Sequence, residues 1–429
     1  MNEQIKQRIT QLNNGEVPFG YKKTSVGIVP KEWTEHTLGD IFIFKNGLNK
    51  EKEAFGQGTP IVNYTDVWKK RGLRAKDICG RVALSEKEIQ TYEAKAGDVF
   101  FTRTSETIDE IGYSSVLLED VENAVFSGFV LRARPYNNLV CKEYHQYCYS
   151  EPLMRQEIIK RSSMTTRALT SGPMLSQVAI NLPSQREQSK IAEILMKWDE
   201  AIELQEQYIE NCEKIKKVLL KKLFVFSEEE HSTVRLRDVV VSMASGGTPL
   251  TSKNEYFDGD IVWVSIDDIT KCEKYIVDSA RKLTIAGINN SSAKVFPIGT
   301  ILYAMYASIG KCAIAKVECS TSQAILGIVP DSSILDTQYL YYYLCSIQEN
   351  IATQGQQGTQ PNLNKKMVES FQVPIPTNEH GIDMEKQKNI SAALICADDM
   401  ISVHKSKLEK LKEQRKTMQQ YLLNGIVRV

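Results

Sequence analysis

Two stretches of the chain are patterned as long helices. From Pro183-Ser184-Gln185-Arg186-Glu187 onward, apolar residues recur at heptad spacing, and Ser184 followed by Glu187 fits a capping box. One series of seam positions is Gln188, Leu195, Ile202, Ile209, Lys216 and Leu223. The alternate series is Ile191, Trp198, Gln205, Cys212 and Leu219. This stretch can run to about Phe226. A second stretch, from about Met384 to Leu423 with Gly425 as a stop signal, offers Gln387, Leu394, Ile401, Leu408, Arg415 and Leu422, then Ile390, Ala397, His404, Leu411 and Met418. Apolar layers and polar interruptions largely match between the two series. That match favours helices packed against each other over two surface helices on separate domains. At 1.5 Å per residue each would be about 60 Å long, more than one domain's core needs, which suits a spacer.

Ahead of each helix lies a mixed segment with short β-rich runs, at 98–102, 261–266 and 300–304, bounded by Gly and Pro. These segments repeat one another at an offset of about 200 residues. Leu38-Gly39-Asp40 answers Leu236-Arg237-Asp238, 60–67 answers 262–269, and 97–101 answers 299–303. Ile111-Gly112 answers Ile309-Gly310, Ser127 and Pro135 answer Ser322 and Pro330, and Tyr144 and Tyr147 answer Tyr339 and Tyr342. The order of these matches, with a slowly drifting offset, carries the inference. The expected fold is α+β, with two similar mixed α/β domains separated by two long helices. A duplicated chain packs most simply about a pseudo-two-fold axis, which makes the helices an antiparallel coiled coil. In that arrangement Gln205 and His404 should fall in adjacent or shared polar layers that fix register. The expected boundaries are 1–182 (an N-terminal helix and the first domain), 183–228 (the first long helix), 229–376 (the second domain) and 377–429 (the second long helix).

Composition narrows the class. With 429 residues, 42% hydrophobic and 25% charged, the chain is long enough for two domains and globular in character. No apolar run approaches the ~20 residues of a membrane span, and the polar start Met1-Asn2-Glu3-Gln4 has no signal-peptide character. Nine scattered cysteines without a Cys-x-x-Cys pair fit reduced thiols in the cytoplasm. A net charge of zero argues against coating nucleic acid through bulk charge but leaves room for a basic face. Enzyme signatures fail one after another. There is no Pro-Pro dipeptide, so the Asn/Asp-Pro-Pro-aromatic motif of amino-methyltransferases is missing. Gly310-Lys311 lacks the phosphate-loop glycine, because Met305 stands there. His36, His145, His231, His380 and His404 show no ligand spacing, so no metal site is expected. Glu93-Ala94-Lys95, half of a nuclease motif, is not repeated in the second half.

Gly20-Tyr21-Lys22-Lys23-Thr24 through Val29-Pro30-Lys31-Glu32-Trp33, followed by Leu38-Gly39-Asp40, resembles the opening of Type I restriction–modification specificity subunits. Gly246-Gly247-Thr248-Pro249 resembles their second-domain loop, and Gln360-Pro361-Asn362-Leu363-Asn364 leading to Val373-Pro374-Ile375-Pro376 resembles the end of that domain. The runs 187–195 and 422–429 resemble their spacer helices. Two departures are Glu385-Lys386-Gln387 at the start of the second helix and the shorter Gly172-Pro173-Met174-Leu175 closing the first domain. The resemblance implies two target recognition domains, each reading one half of a split double-stranded DNA site. It implies helices that set the spacing and dock two modification (methyltransferase) subunits, with restriction (motor and nuclease) subunits added. The chain would then be no enzyme and hold no cofactor. S-adenosylmethionine, ATP and magnesium would belong to the partner subunits. A single-chain methyltransferase or nuclease, and a coiled-coil scaffold for other proteins, are the rival classes.

A DNA reader needs phosphate anchors and base-edge readers. Lys69, Lys70, Arg71, Arg74 and Lys76 form a basic run, and Arg161 and Arg167 bracket Ser162-Ser163-Met164-Thr165-Thr166. Either run could equally be a solvated face. Arg103, followed by Thr104 at a strand end, could contact guanine through two hydrogen bonds. In the second half Gly246, Gly247 and Thr248 would let backbone approach phosphate. Gln356, Gln357, Thr359 and Gln360 lie on a glycine-flexed loop, where glutamine suits adenine but a polar linker is the alternative. Tyr306, Ser308 and Lys311 fall where the repeat places the Arg103 region.

Overall fold

The computed structural model describes residues 3–354 and 363–429. The chain forms two compact units, Met1–Gln205 with Lys407–Val429, and Glu206–Ser406.

In the first unit a five-stranded sheet runs in the order Phe42–Asn46, Val130–Pro135, Val99–Thr102, Ser114–Leu117, Gly72–Leu73. Its last pair is parallel and the others antiparallel. Val99–Thr102 is buried throughout. Side chains alternate across a strand, so Val99 and Phe101 enter one core while Phe100 enters another. Burial on both faces explains why this strand reads as an unbroken apolar run. A second sheet joins Val125–Phe126, Phe55–Val62 and Arg81–Val82.

The second unit repeats this plan. Its five-stranded sheet runs Val240–Ser245, Ile325–Pro330, Ile301–Ala304, Cys312–Ala315, Tyr275–Ile276, again with one parallel pair at the end. Its second sheet is built on Phe257–Val264. The register shift between Phe257 and Ile261 reproduces that between Phe55 and Thr59. Both strands feed a one-and-a-half-turn helix capped in the same way. The Asp66 carboxylate accepts from the Asn63 N–H at 2.9 Å and the Asp268 carboxylate from the Ser265 N–H at 2.8 Å. Gly47 and Gly246 occupy matching places, where a Cβ would lie 2.0 Å from the Ser127 carbonyl and 2.1 Å from the Thr321 carbonyl. The internal repeat therefore extends to strand order, bulge and cap.

The long helices are Gln185–Lys222 and Met384–Leu423. The first stops short of Phe226. Leu223, Phe224 and Phe226 instead pack on the core of the second unit, with the Phe224 ring 5.2 Å from that of Tyr339. Within each unit the helices run antiparallel. Glu187 meets Arg428 and Asp199 meets Arg415 in the first, while Tyr208 meets His404 and Lys216 meets Asp398 in the second. No seam position proposed from the heptads is exposed. Trp198, Ile202 and Leu411 are half-buried; Ile209, Ile401 and Leu408 are buried. Ile191, Leu195 and Leu422 also belong to the core of the first unit, and Ile390 and Leu394, with Leu219 against them, to that of the second. Gln205 is buried, and the His404 ring lies 4.3 Å from Tyr208. Gln188 and Gln387 are not helix–helix layers. The Gln188 side chain accepts from the Cys141 N–H and donates to the Leu139 carbonyl, and Gln387 does the same with Asp336 and Ile334.

Candidate nucleic-acid interface

In the first unit the structure gathers several residues that the sequence kept apart. Arg103 follows the buried strand Val99–Thr102, and its backbone bonds to the Phe129 carbonyl and the Thr170 N–H, each at 3.0 Å. The next residues, Thr104–Ser105, leave for a separate three-stranded ribbon with Ala168–Leu169 and Ser163–Met164. The ribbon's turn carries Thr165, Thr166 and Arg167, all exposed, and is closed by Thr165 N–H to the Arg167 carbonyl at 3.2 Å. Arg103, Thr104 and Arg167 thus lie on or beside one ribbon. The Arg103 side chain makes no hydrogen bond or ion pair among the described residues. Arg161, at the end of the helix Pro152–Arg161, is exposed and donates to Gln177 at 3.1 Å. Three exposed apolar side chains accompany them, Phe129 at 63%, Met164 at 52% and Leu169 at 40%. Sequence reading missed Phe129 and Leu169, because a β-propensity pattern cannot distinguish an outward apolar residue from a core one.

The basic run divides. Lys69 ends the helix Tyr64–Lys69 and is exposed beside Trp68, itself half exposed. Lys70 reaches the Asp77 carboxylate and Arg74 pairs with Glu119 at 3.3 Å; Lys76 is exposed. Arg71 keeps exposed surface. Burial and then Arg415 lower its pKa, and Asp199 and Tyr147 oppose them.

The second unit brings further corrections. Gly246 and Gly247 are buried. Their missing side chains make room for Thr321 and for the Ser292–Ala293 backbone, and not for a phosphate. The Gly247 carbonyl accepts from the Trp263 indole at 3.0 Å, and Thr248 bonds to Gln323. Lys311 is likewise engaged, donating to the Thr270 carbonyl at 2.7 Å, while Ser308 Oγ lies 3.1 Å from Thr270 Oγ1. Tyr306 is exposed on the same loop, next to Ala307 at φ +59°. Gln356, Gln357, Thr359 and Gln360 lie outside the described residues. Among those described, no cluster of side chains could hold a metal ion, and no helix is long and apolar enough to cross a membrane.

Comparison with known proteins places this geometry. A profile described as the Type I restriction modification DNA specificity domain matches residues 30–214 and again 228–413. The chain is 24% identical over 427 residues to the putative type I restriction enzyme MjaX specificity subunit of Methanocaldococcus jannaschii, spanning 95% of this chain and 97% of that protein. It is 32% identical over 174 residues to the MjaIX specificity subunit of the same organism, across 40% of this chain and 39% of that one. Among solved structures, a chain from work on complex assembly and conformational transition of the type I R-M system aligns with a TM-score of 0.63 at 16% identity, covering 93% of this chain and 99% of that chain. The S subunit of the M. genitalium type I system aligns at 0.51 and 16% identity, covering 91% and 96%. At such identities the likeness is one of fold.

Proposed function

The chain belongs to the Type I restriction modification DNA specificity family, and on that premise we propose that it reads a bipartite double-stranded DNA target, one half-site per recognition fold, and docks two methyltransferase subunits on its long helices. The chemistry lies with the partners in this reading. Modification subunits methylate adenine with S-adenosylmethionine, restriction subunits use ATP and magnesium, and this chain is non-catalytic and works in the cytoplasm. The observation that carries the reading is the repetition of one fold, with the same strand order, in two units that each hold antiparallel segments of the two long helices.

For the first half-site the proposed reader is the ribbon Ser163–Leu169 with Arg103. A two-stranded β-ribbon fits the major groove, arginine can grip guanine O6 and N7 with two hydrogen bonds, and apolar groups such as Met164 can meet a thymine methyl. Selection of randomised duplexes by the full-length chain with its modification subunits tests this. Two conserved blocks separated by a fixed gap are expected, and Arg103→Ala with Arg167→Ala should blur one block only. A single uninterrupted block would contradict the bipartite reading. Methyl transfer from labelled S-adenosylmethionine by the pure chain would favour a single-chain enzyme, and absence of DNA binding would favour a protein scaffold.

A further inference from the structure

Each unit contains a carboxylate on a long helix that is shared by a tyrosine and a cation of the opposite helix, with a second cation contributed by the recognition fold. In the second unit Asp398 accepts the Tyr342 hydroxyl at 2.5 Å and lies 2.5 Å from the Lys216 ammonium. Lys274 is 8% exposed; it donates to the Tyr342 hydroxyl at 2.7 Å and lies 4.0 Å from Asp398. In the first unit Asp199 accepts the Tyr147 hydroxyl at 2.9 Å and the Arg415 guanidinium at 2.8 and 3.2 Å. Arg71 holds the strand position that Lys274 holds in the second unit, its carbonyl accepting from the Val116 N–H as that of Lys274 accepts from Ile314, each at 2.9 Å, and Asp199 acts on its charge. Tyr147 matches Tyr342, Asp199 matches Asp398 and Arg71 matches Lys274 along the repeat. The helices exchange roles. The carboxylate is on the first helix in one unit and on the second in the other, and the paired cation, Arg415 or Lys216, is on the opposite helix.

Stability alone does not explain such a set. Removing a cation from water costs several kcal/mol, and well-packed apolar side chains often serve stability as well or better. What a hydrogen-bonded ion cluster adds is direction, because its partners are satisfied in one arrangement. Two members of each cluster come from the recognition fold and two from the helices. Each recognition-side cation also adjoins a candidate DNA-contacting element. Arg71 directly follows Lys69 and Lys70, and its carbonyl accepts from Val116, on the strand paired with Val99–Thr102, which leads to Arg103. Lys274 follows the helix Ile266–Lys271, whose Thr270 holds Lys311 and Ser308 of the Tyr306 loop.

We propose that the two clusters key each recognition fold to its own segment of the helix pair, making Lys274 and Arg71 positioning residues for the half-site that their fold reads. This rests on the half-site reading above.

The test measures discrimination, the ratio of affinities for selected and half-site-mismatched duplexes, in the full-length chain with its modification subunits. Lys274→Met should reduce discrimination at the second half-site by about tenfold, within the range that one misplaced base-reading side chain commands, and leave the first intact. Arg71→Met should do the converse. Arg71→Lys should restore the first half-site, since the repeat employs an ammonium at the matching place. A merely structural role lowers the fraction of active protein and leaves both ratios unchanged; that result, or loss at both half-sites together, overturns the proposal. If Lys274→Met does not fold, the Arg71 pair of variants decides. A wild-type chain that discriminates at neither half-site would instead overturn the functional reading beneath it.

Discussion

Replacing Lys69 and Lys70 by alanine should change how DNA affinity depends on salt, by an amount that the structure sets. Each phosphate neutralised on duplex DNA contributes a slope of roughly 0.9 in log affinity against log salt. Lys69 is exposed and available. Lys70, whose side chain is 53% exposed, is paired with Asp77, whose side chain is 8% exposed, so it can turn only part of its charge to phosphate. The double variant should therefore lose up to roughly 1.8 of slope. Between 50 and 200 mM salt, those two phosphate anchors account for up to roughly a 12-fold difference in affinity. The loss should fall equally on all sequences, since phosphate contacts carry no base information. Arg71→Ala should lower the slope by less than the roughly 0.9 of a full phosphate anchor, because Asp199 offsets part of its charge. Fluorescence anisotropy titrations across that salt range, with the full-length chain and its modification subunits, give all three slopes. A slope unaltered by the lysine pair, or lowered by about 0.9 through Arg71, would refute this division of the basic run.

Other outcomes follow from the same geometry. Arg103→Ala with Arg167→Ala should cost about 1–3 kcal/mol of discrimination for each base edge that is no longer gripped, at one half-site only, read by competition with single-mismatch duplexes. Four residues inserted after Gln205 should add about 6 Å to the first long helix and lengthen the preferred gap between half-sites by one or two base pairs, at ~3.4 Å each, with unchanged half-sites; a functional insertion variant with the original gap would reject the ruler. Burial holds His145 down at about 3 from its usual 6.5, so the folded chain refuses a proton that the unfolded chain accepts. Stability from this group is complete above pH 6.5 and declines between 6.5 and about 3 as pH falls, by about 1.4 kcal/mol per unit. Urea unfolding at pH 7 and pH 5 should show a smaller difference for His145→Gln; an equal difference would place the acid sensitivity elsewhere.

The sequence made the repeat and the paired helices legible because both rest on periodicity and order, which survive without knowledge of contacts. Lys216 and Arg415 were visible as matching polar interruptions, but not their partners Asp398 and Asp199, which lie on the opposite helix. The misreading of Gly246-Gly247 has the same origin. A glycine pair announces a close approach, and only the fold reveals that Thr321 and Ser292 are what approaches. Arg71 reads as one more member of a basic run, since Arg415 and Asp199, which act on its charge, lie far along the chain. The ribbon beside Arg103 joins 104–105 to 163–169 across a long stretch of chain, with a two-residue strand at each step. Strands that short leave no alternation to detect.

Sequencing that reports adenine methylation, applied to DNA from the source cell with and without this chain, tests the central claim most directly. The account predicts methylated adenines at a split motif, two defined blocks around an unspecified gap, that vanish when the chain is removed and return with one block relaxed in the Arg103→Ala, Arg167→Ala variant. Methylation at an uninterrupted motif, or a split motif that persists without the chain, would contradict it.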